Sequence, residues 1–99
     1  GENCVFFHGV TLGGTGHHLD KRHPTIGSNV LVGANATLLG PIEVGSNSKI
    51  GATAVVINRD VPDGCTVVGA PGRIVKRDGQ DTDEPLPVAH YQHQESRNA

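Results

Sequence analysis

The stretch IGSNVLVGANATLLGPIEVGSNSKIGATAVVI, residues 26 to 57, carries a repeat of six residues. Aliphatic residues recur at every sixth position, and with the exception of Pro62 the series continues to the end of the repeat: Ile26, Val32, Leu38, Val44, Ile50, Val56, Val68 and Ile74. A helical period of 3.6 does not fit this spacing, and Gly or Asn interrupts any longer strand. The pattern predicts short strands separated by turns, with the aliphatic positions facing one core.

Three six-residue units predict one coil of 18 residues, in which parallel strands of successive coils stack into a narrow prism. The fifth position of each unit is also small or aliphatic, as at Val30, Ala36, Ile42, Ser48 and Ala54. Asn29, Asn35 and Asn47 occupy one place in their units, which favours the left-handed backbone conformation that Asn tolerates. A narrow core also explains why the 99 residues include 14 Gly and no Trp.

The repeat is interrupted once near its start and ends before the C-terminus. Leu12 and Ile26 are 14 residues apart where six are expected, so the chain has about eight extra residues here. They should protrude as part of a loop that spans about residues 13–25. Loops on a rigid scaffold commonly carry function. We expect the β-helical domain to span residues 1–77 and the polar segment 78–99 to be a flexible tail.

Composition excludes several classes of function. A net charge of −2 and the absence of a basic run argue against nucleic-acid binding. No apolar stretch is long enough to predict a membrane-spanning helix. Cys4 and Cys65 form neither a CxxC pair nor a disulfide framework, so we expect structural thiols in a reduced cytoplasm.

Three stretches in order, GVTLGGTG (9–16), KRHPTIG (21–27) and VVGAPGRIV (67–75), resemble the signature of serine O-acetyltransferases. The resemblance covers roughly residues 1–77. It implies an all-β fold, a left-handed parallel β-helix of hexapeptide repeats with one protruding loop. It also implies transfer of an acetyl group from acetyl-CoA to the hydroxyl of L-serine, a step in cysteine biosynthesis.

The resemblance assigns the acceptor side of the site to three residues. Arg22 matches the family's substrate-binding Arg, which can hold a carboxylate through two parallel hydrogen bonds. His23 matches its second active-site His and is the candidate catalytic residue, while His8 matches a variable, outward-facing position beside the substrate. The family's principal catalytic His and its partner Asp belong to coils upstream of the position of Gly1, and the 99 residues contain no counterpart.

The resemblance also implies a set of acetyl-CoA contacts. Small residues would let the backbone approach the pantetheine arm, and two cations would lie near the nucleotide end. These residues are Gly14, Thr15, Gly33, Ala34, Gly51 and Ala52 for the arm, Lys49 for the phosphates and Arg73 for the 3′-phosphate. No metal is expected, because His17 and His18 lack the ligand spacing of metal-binding β-helices.

The family implies a homotrimer in which the acetyl-CoA groove lies between two neighbouring chains. Docking to the cysteine-forming partner enzyme is not expected, because the tail ends in Ala99 where many members carry Ile. Two alternatives stay open: a catalytically incompetent CoA-binding or scaffold module, and an acetyltransferase for another small acceptor such as a sugar.

Overall fold

A computed structural model describes residues 1–14 and 23–89, and in these ranges all regular structure is β. The strands are β1 (Val5–Phe6), β2 (Thr11–Gly13), β3 (Thr25–Ile26), β4 (Leu31–Val32), β5 (Thr37–Leu39), β6 (Glu43–Val44), β7 (Lys49–Ile50), β8 (Val55–Ile57), β9 (Cys65–Val68), β10 (Arg73–Arg77) and β11 (Gln80–Pro85). Most strands are only two or three residues long, as expected when a turn recurs in every six-residue unit.

The strands form three sheets that make the three faces of a prism. Sheet A has the order β1-β4-β7-β9-β10-β11, sheet B the order β2-β5-β8, and sheet C pairs β3 with β6. From β1 to β8 consecutive strands pass from one face to the next, and strands of neighbouring coils pair in parallel. The last coil has only a parallel bridge from Val61 to Val44 on the third face before β9 pairs with β7 in sheet A. The prediction of an all-β parallel β-helix is confirmed.

The pairing register gives the length of each coil. Leu31 pairs with Lys49 and Thr37 with Val55, which is 18 residues in both sheets. Between the first and second coils Val5 pairs with Leu31, a step of 26, so eight residues are extra (26 − 18 = 8). The step returns to 18 at Thr25 and Glu43, so the insertion lies between β2 and β3. This agrees with the predicted loop.

The core is made of the two predicted inward positions of each unit. The sixth-residue series is at most 2% exposed at Val32, Leu38, Val44, Ile50 and Val56, and the fifth positions Val30, Ala36, Ile42, Ser48 and Ala54 are at most 1% exposed. The buried Ser48 hydroxyl donates to the Gly45 carbonyl at 2.6 Å, which satisfies its polar group. Branched side chains on three short strands therefore fill the prism without aromatic residues.

The predicted series is wrong at Val68, because the unit after Val56 has five residues, and it is correct again at Ile74, which is 0% exposed. Val61 and Val67 are 2% and 0% exposed, whereas Val68, predicted to point inward, is 41% exposed. The coil step falls to 17 between Ile50 and Val67. Val61 donates its N–H to the Glu43 carbonyl at 2.9 Å. Pro62 has no N–H and could not replace Val61 in this ladder, so the inward position moves back by one residue.

Residues with positive φ mark the corners of the prism. The prediction for Asn29, Asn35 and Asn47 is confirmed, with φ of 58°, 61° and 59°. Thr53 occupies the equivalent corner one coil below Asn35 and has φ of 62°, which is unusual for a β-branched residue. The corners therefore impose one conformation, and most of them carry Asn or Gly because those residues adopt it at least cost.

The expected flexible tail is wrong for residues 78–89. The chain turns at Asp78 and Gly79, both with positive φ, and β11 pairs antiparallel with β10. Leu86 and Ala89 then lie against the core, 4% and 0% exposed. An Asp-Gly pair is a strong hairpin signal because both residues accept positive φ, and this signal was available in the sequence. Residues 90–99 lie outside the described part of the chain.

Candidate functional site

The corner between sheets A and B stacks small residues in successive coils. The N–H of Asn35 donates to the His8 carbonyl at 3.0 Å, and the N–H of Thr53 donates to the Ala34 carbonyl at 2.9 Å. With coil steps of 26 and 18 residues, His8, Ala34 and Ala52 therefore lie one above the other, and we call them the A–B column. Ala34 is half-buried, and His8 and Ala52 are exposed. The sequence-predicted Ala34 and Ala52 are thus brought together.

The residues preceding Ala34 and Ala52 must be small, because successive coils meet closely there. A Cβ on Gly33 would come 2.5 Å from the backbone nitrogen of Ala52, and one on Gly51 would come 3.0 Å from Val68 Cγ1. Gly33 is buried and Gly51 is half-buried. The corner is therefore a narrow strip in which main chain, rather than long side chains, forms the surface. An extended ligand can approach such a strip closely.

The strip continues to residues that the sequence analysis missed. Val55 donates its N–H to the Gly69 carbonyl at 3.0 Å and accepts the Gly72 N–H at 2.8 Å, so the segment 69–72 closes the corner below Ala52. The step of 17 in this coil places Gly69 beneath Ala52. The missed signal was Pro62, which interrupts the six-residue series and marks the shortened unit.

The two predicted cations occupy different surroundings. Lys49 begins β7 and is exposed on the outer face of sheet A, two residues before Gly51. Arg73 begins β10, and its Nη2 lies 2.8 Å from Asp83 Oδ1 in an ion pair with side chains 48% and 78% exposed. Lys49 is therefore beside the strip, whereas the charge of Arg73 is already partly balanced by a carboxylate.

The insertion leaves and rejoins the prism at another corner. Gly14 follows β2 of sheet B, and His23, which is exposed, precedes β3 of sheet C. The loop therefore starts from the B–C corner, whereas the A–B column lies on the opposite side of sheet B. Thr15 and Arg22, the predicted arm contact and carboxylate ligand, lie outside the described residues. The structure does not bring His23 and the A–B column together at one corner of a single chain.

In the described part of the chain, the groups with clearly shifted pKa values lie in or beside the hairpin of β10 and β11, and not at the A–B column. The Arg77 Nε and Nη2 atoms donate to the two Glu84 carboxylate oxygens at 3.2 and 3.1 Å. Hydrogen bonds from Arg77 and from Thr82 hold the pKa of Glu84 below its usual range. Burial raises the pKa of the nearby Cys65 thiol, and the Arg77 charge acts in the opposite direction. Cys65 is therefore a buried thiol, as expected.

A metal-binding cluster and a membrane-spanning helix are both absent from the described residues, 1–14 and 23–89. No group of three or more His, Cys, Asp or Glu side chains in these ranges could hold a metal ion. No helix long and apolar enough to cross a membrane occurs in the same ranges. His17 and His18 lie outside them, so the structure does not test the prediction made for this pair.

The fold and the repeat define the class of protein. Residues 23–58 match the family model described as bacterial transferase hexapeptide (six repeats). This range includes the five inward positions from Ile26 to Ile50 and most of the A–B column. Residues 23–58 thus carry the hexapeptide repeat that this family model describes, within the observed β-helix.

Within that class, the similar proteins are serine acetyltransferases. The serine acetyltransferase of Synechococcus elongatus is 54% identical over 44 residues, which are 44% of this chain and 18% of that protein. The crystal structure of Neisseria gonorrhoeae serine acetyltransferase aligns with a TM-score of 0.71 and 52% identity over 81% of this chain and 30% of that one. The Brucella abortus serine acetyltransferase in complex with coenzyme A aligns with a TM-score of 0.70 and 47% identity over 82% and 31%.

These matches confirm the resemblance stated from the three sequence stretches. The chain spans less than a third of the length of each of these relatives. The similarity therefore concerns only a part of each of these serine acetyltransferases.

Proposed function

We propose that this chain is the acetyl-CoA-binding β-helix of a serine O-acetyltransferase, which transfers acetyl from acetyl-CoA to the L-serine hydroxyl in cysteine biosynthesis. The observation that carries the proposal is the A–B column. Its Ala34 and Ala52 form a strip of small residues, in register over successive coils, on a chain similar to a serine acetyltransferase solved with coenzyme A. The pantetheine arm would lie along Ala34 and Ala52, with Lys49 beside the phosphates.

The acceptor side of the site would come from the insertion. The Arg22 guanidinium would bind the serine carboxylate, since two parallel hydrogen bonds fix its orientation. His23 would lie beside the reacting hydroxyl and the thioester, and His8 at the upper end of the A–B column would contact the substrate. Holding both substrates in one orientation is the main contribution that these residues can make.

A complete site requires two chains. Because the loop starts from the B–C corner and the arm would lie on the A–B corner, the loop of one protomer must meet the column of its neighbour. Such a head-to-tail contact uses two different surfaces of each subunit, one toward each neighbour. Identical subunits can therefore repeat it around a closed ring. The resemblance to serine O-acetyltransferases implies three subunits, so the proposed assembly is a homotrimer with three equivalent sites. It would lie in the cytoplasm.

The base that removes the serine proton would come from coils that precede the first described one. Phe6 and Leu12 occupy inward positions of the first coil but are 40% and 41% exposed at the end of the prism. An additional coil stacked on β1 and β2 would cover them and extend all three sheets. This position would place a His of that coil above His8, at the upper end of the A–B column.

The test pairs a calorimetric titration of CoA with a thiol-release assay using acetyl-CoA and L-serine. CoA binding that is lost in Ala52→Leu, where the larger side chain blocks the strip, supports the proposal. Glu43→Leu is the matched control, because it adds the same side chain to exposed sheet C and should leave binding unchanged. Equal CoA affinity in wild type and Ala52→Leu, or no binding in wild type, would overturn the proposed groove.

A second candidate function is a CoA-binding or scaffold module without chemistry. It is favoured by the same column, because the described residues offer an arm-binding strip but no base paired with a carboxylate beside it. CoA binding without thiol release from a chain that also carries the preceding coils would favour this module. Thiol release that requires L-serine would favour the transferase.

A further inference from the structure

A cavity of about 220 Å³ lies at the lower end of the prism, beside the segment 69–72 that closes the A–B corner. Its walls come from three segments: β8, the turn after Ala70, and the chain that follows β11. The lining residues are Val55, Val56, Ile57, Arg59, Pro71, Gly72, Arg73, Pro85 and Leu86. Because the inward-facing Val56 and the outward-facing Val55 and Ile57 all contribute to the wall, the cavity lies at the lower edge of sheet B.

The cavity exists because β8 is covered at its two ends and not at its middle. At one end Val55 bonds with Gly69 and Gly72, and at the other the N–H of Ala89 donates to the Asn58 carbonyl at 3.1 Å. Between these attachments Ile57 lines the cavity and remains 44% exposed. The segment that closes the prism therefore leaves an apolar gap of fixed width beneath β8.

Two arginines, Arg59 and Arg73, line this apolar gap, and Arg59 is the one that lies at the rim beside Leu86. Its Nη1 donates to the Leu86 carbonyl at 3.2 Å, which holds the guanidinium at the rim. Within the described part of the chain, the arginine ion pairs on this side join Arg73 to Asp83 and Arg77 to Glu84, and Arg59 belongs to neither. Its remaining N–H groups can donate hydrogen bonds to a carboxylate, whose planar shape matches that of the guanidinium.

We propose that this cavity binds a small monocarboxylate whose apolar end is about the size of a six-membered ring. The volume supports the ring size, since an apolar cavity of about 150 Å³ binds benzene. Val55, Ile57 and Leu86 enclose the apolar end, and Arg59 binds the carboxylate. Bound ligand joins β8 to the segment after β11, so it stabilises the closed lower end of the prism.

The test is an NMR titration of the 99-residue chain with 3-phenylpropanoate, with its uncharged amide as the comparison. The expected result is saturable shifts at the Val55, Ile57 and Leu86 methyl groups, with the amide binding about tenfold more weakly. Arg59→Gln should remove this preference for the carboxylate. Lys76→Gln, which removes a positive charge from exposed β10 outside the cavity, should keep it.

Ile57→Trp provides a second variant, because it fills the cavity from a partly exposed position and does not remove a core residue. It should abolish the shifts while the urea midpoint stays near that of wild type. Three results would overturn the proposal: equal affinity for acid and amide, unchanged binding in Ile57→Trp, or displacement of the probe by CoA. Displacement by CoA would assign the cavity to the proposed groove, whereas CoA binding without displacement leaves both sites standing.

Discussion

Gly33 lies so close above Ala52 that a Cβ on Gly33 would come 2.5 Å from the Ala52 backbone nitrogen. This contact fixes the spacing of the second and third coils at the A–B corner. Gly33→Ala is therefore expected to destabilise the fold by about 1–3 kcal/mol, because backbone must shift to admit the methyl group. Urea unfolding measures the change. Ala52→Ser, at the exposed side of the same contact, should change stability by less than about 0.5 kcal/mol, and equal losses in both variants would contradict the steric explanation.

Thr53 stands at a corner where the other coils use residues that accept positive φ. Its φ of 62° is unfavourable for a β-branched side chain, so Thr53→Asn should raise the free energy of unfolding by about 1 kcal/mol. Chemical denaturation provides the measurement. Thr11→Asn in β2 is the control, since an extended strand gives Asn no such advantage and should not be stabilised. A loss of stability in Thr53→Asn would show that the Thr53 hydroxyl bond to the Ala52 carbonyl outweighs the backbone strain.

The sequence predicted the parts of the fold that depend on a repeated local rule. The inward series from Val32 to Val56, the corner Asn residues and the place of the insertion were all accessible, because each six-residue unit satisfies the same packing requirement. Prediction failed where one or two residues interrupt the six-residue repeat. Pro62 shortened one unit, and Asp78 with Gly79 made a hairpin that returns Leu86 to the core.

The candidate site was predicted less completely for a geometric reason. The resemblance to serine O-acetyltransferases supplied Ala34 and Ala52, and the spacing explains why they stack, because residues 18 apart in a coil of 18 lie one above the other. Spacing did not show that the insertion starts from a different corner, since this depends on which strands share a sheet. The cavity beside Arg59 was also inaccessible, because it forms only where the chain after β11 returns beneath β8.

Glu84 should make stability depend on acid pH. Hydrogen bonds from Arg77 and Thr82 lower its pKa in the folded chain, whereas the unfolded value is about 4.3. The contribution is therefore complete above the unfolded value and is lost as pH falls through the lowered folded value. Glu84→Gln should flatten this part of the profile of urea midpoint against pH between 7 and 2. Arg77→Gln should act similarly, and an unchanged profile in both variants would refute the assignment.

Cys65 and Cys4 should differ in reactivity toward a thiol reagent. Cys65 is 1% exposed, and burial raises its pKa, so little thiolate is accessible at neutral pH. Cys4 is only partly buried near the first coil. In Cys4→Ser, labelling of Cys65 should be slow in buffer and fast in urea, while Cys65→Ser should retain a thiol that reacts in buffer. Rapid labelling of Cys65 in buffer would show that β9 and β10 separate readily.

The corners used by the proposed site determine which face of the prism points toward the axis of the proposed trimer. If the B–C corner of one protomer meets the A–B corner of the next, the face between these corners, sheet B, must face the axis. Thr37 lies outward on the central strand of sheet B, so Thr37→Arg would place three charges near one another and should dissociate the trimer. Sedimentation velocity checks this, with Leu31→Arg on the outer face of sheet A as the matched control. A trimer that survives Thr37→Arg but dissociates in Leu31→Arg would place sheet A at the axis, and the loop of one chain could not then reach the column of its neighbour.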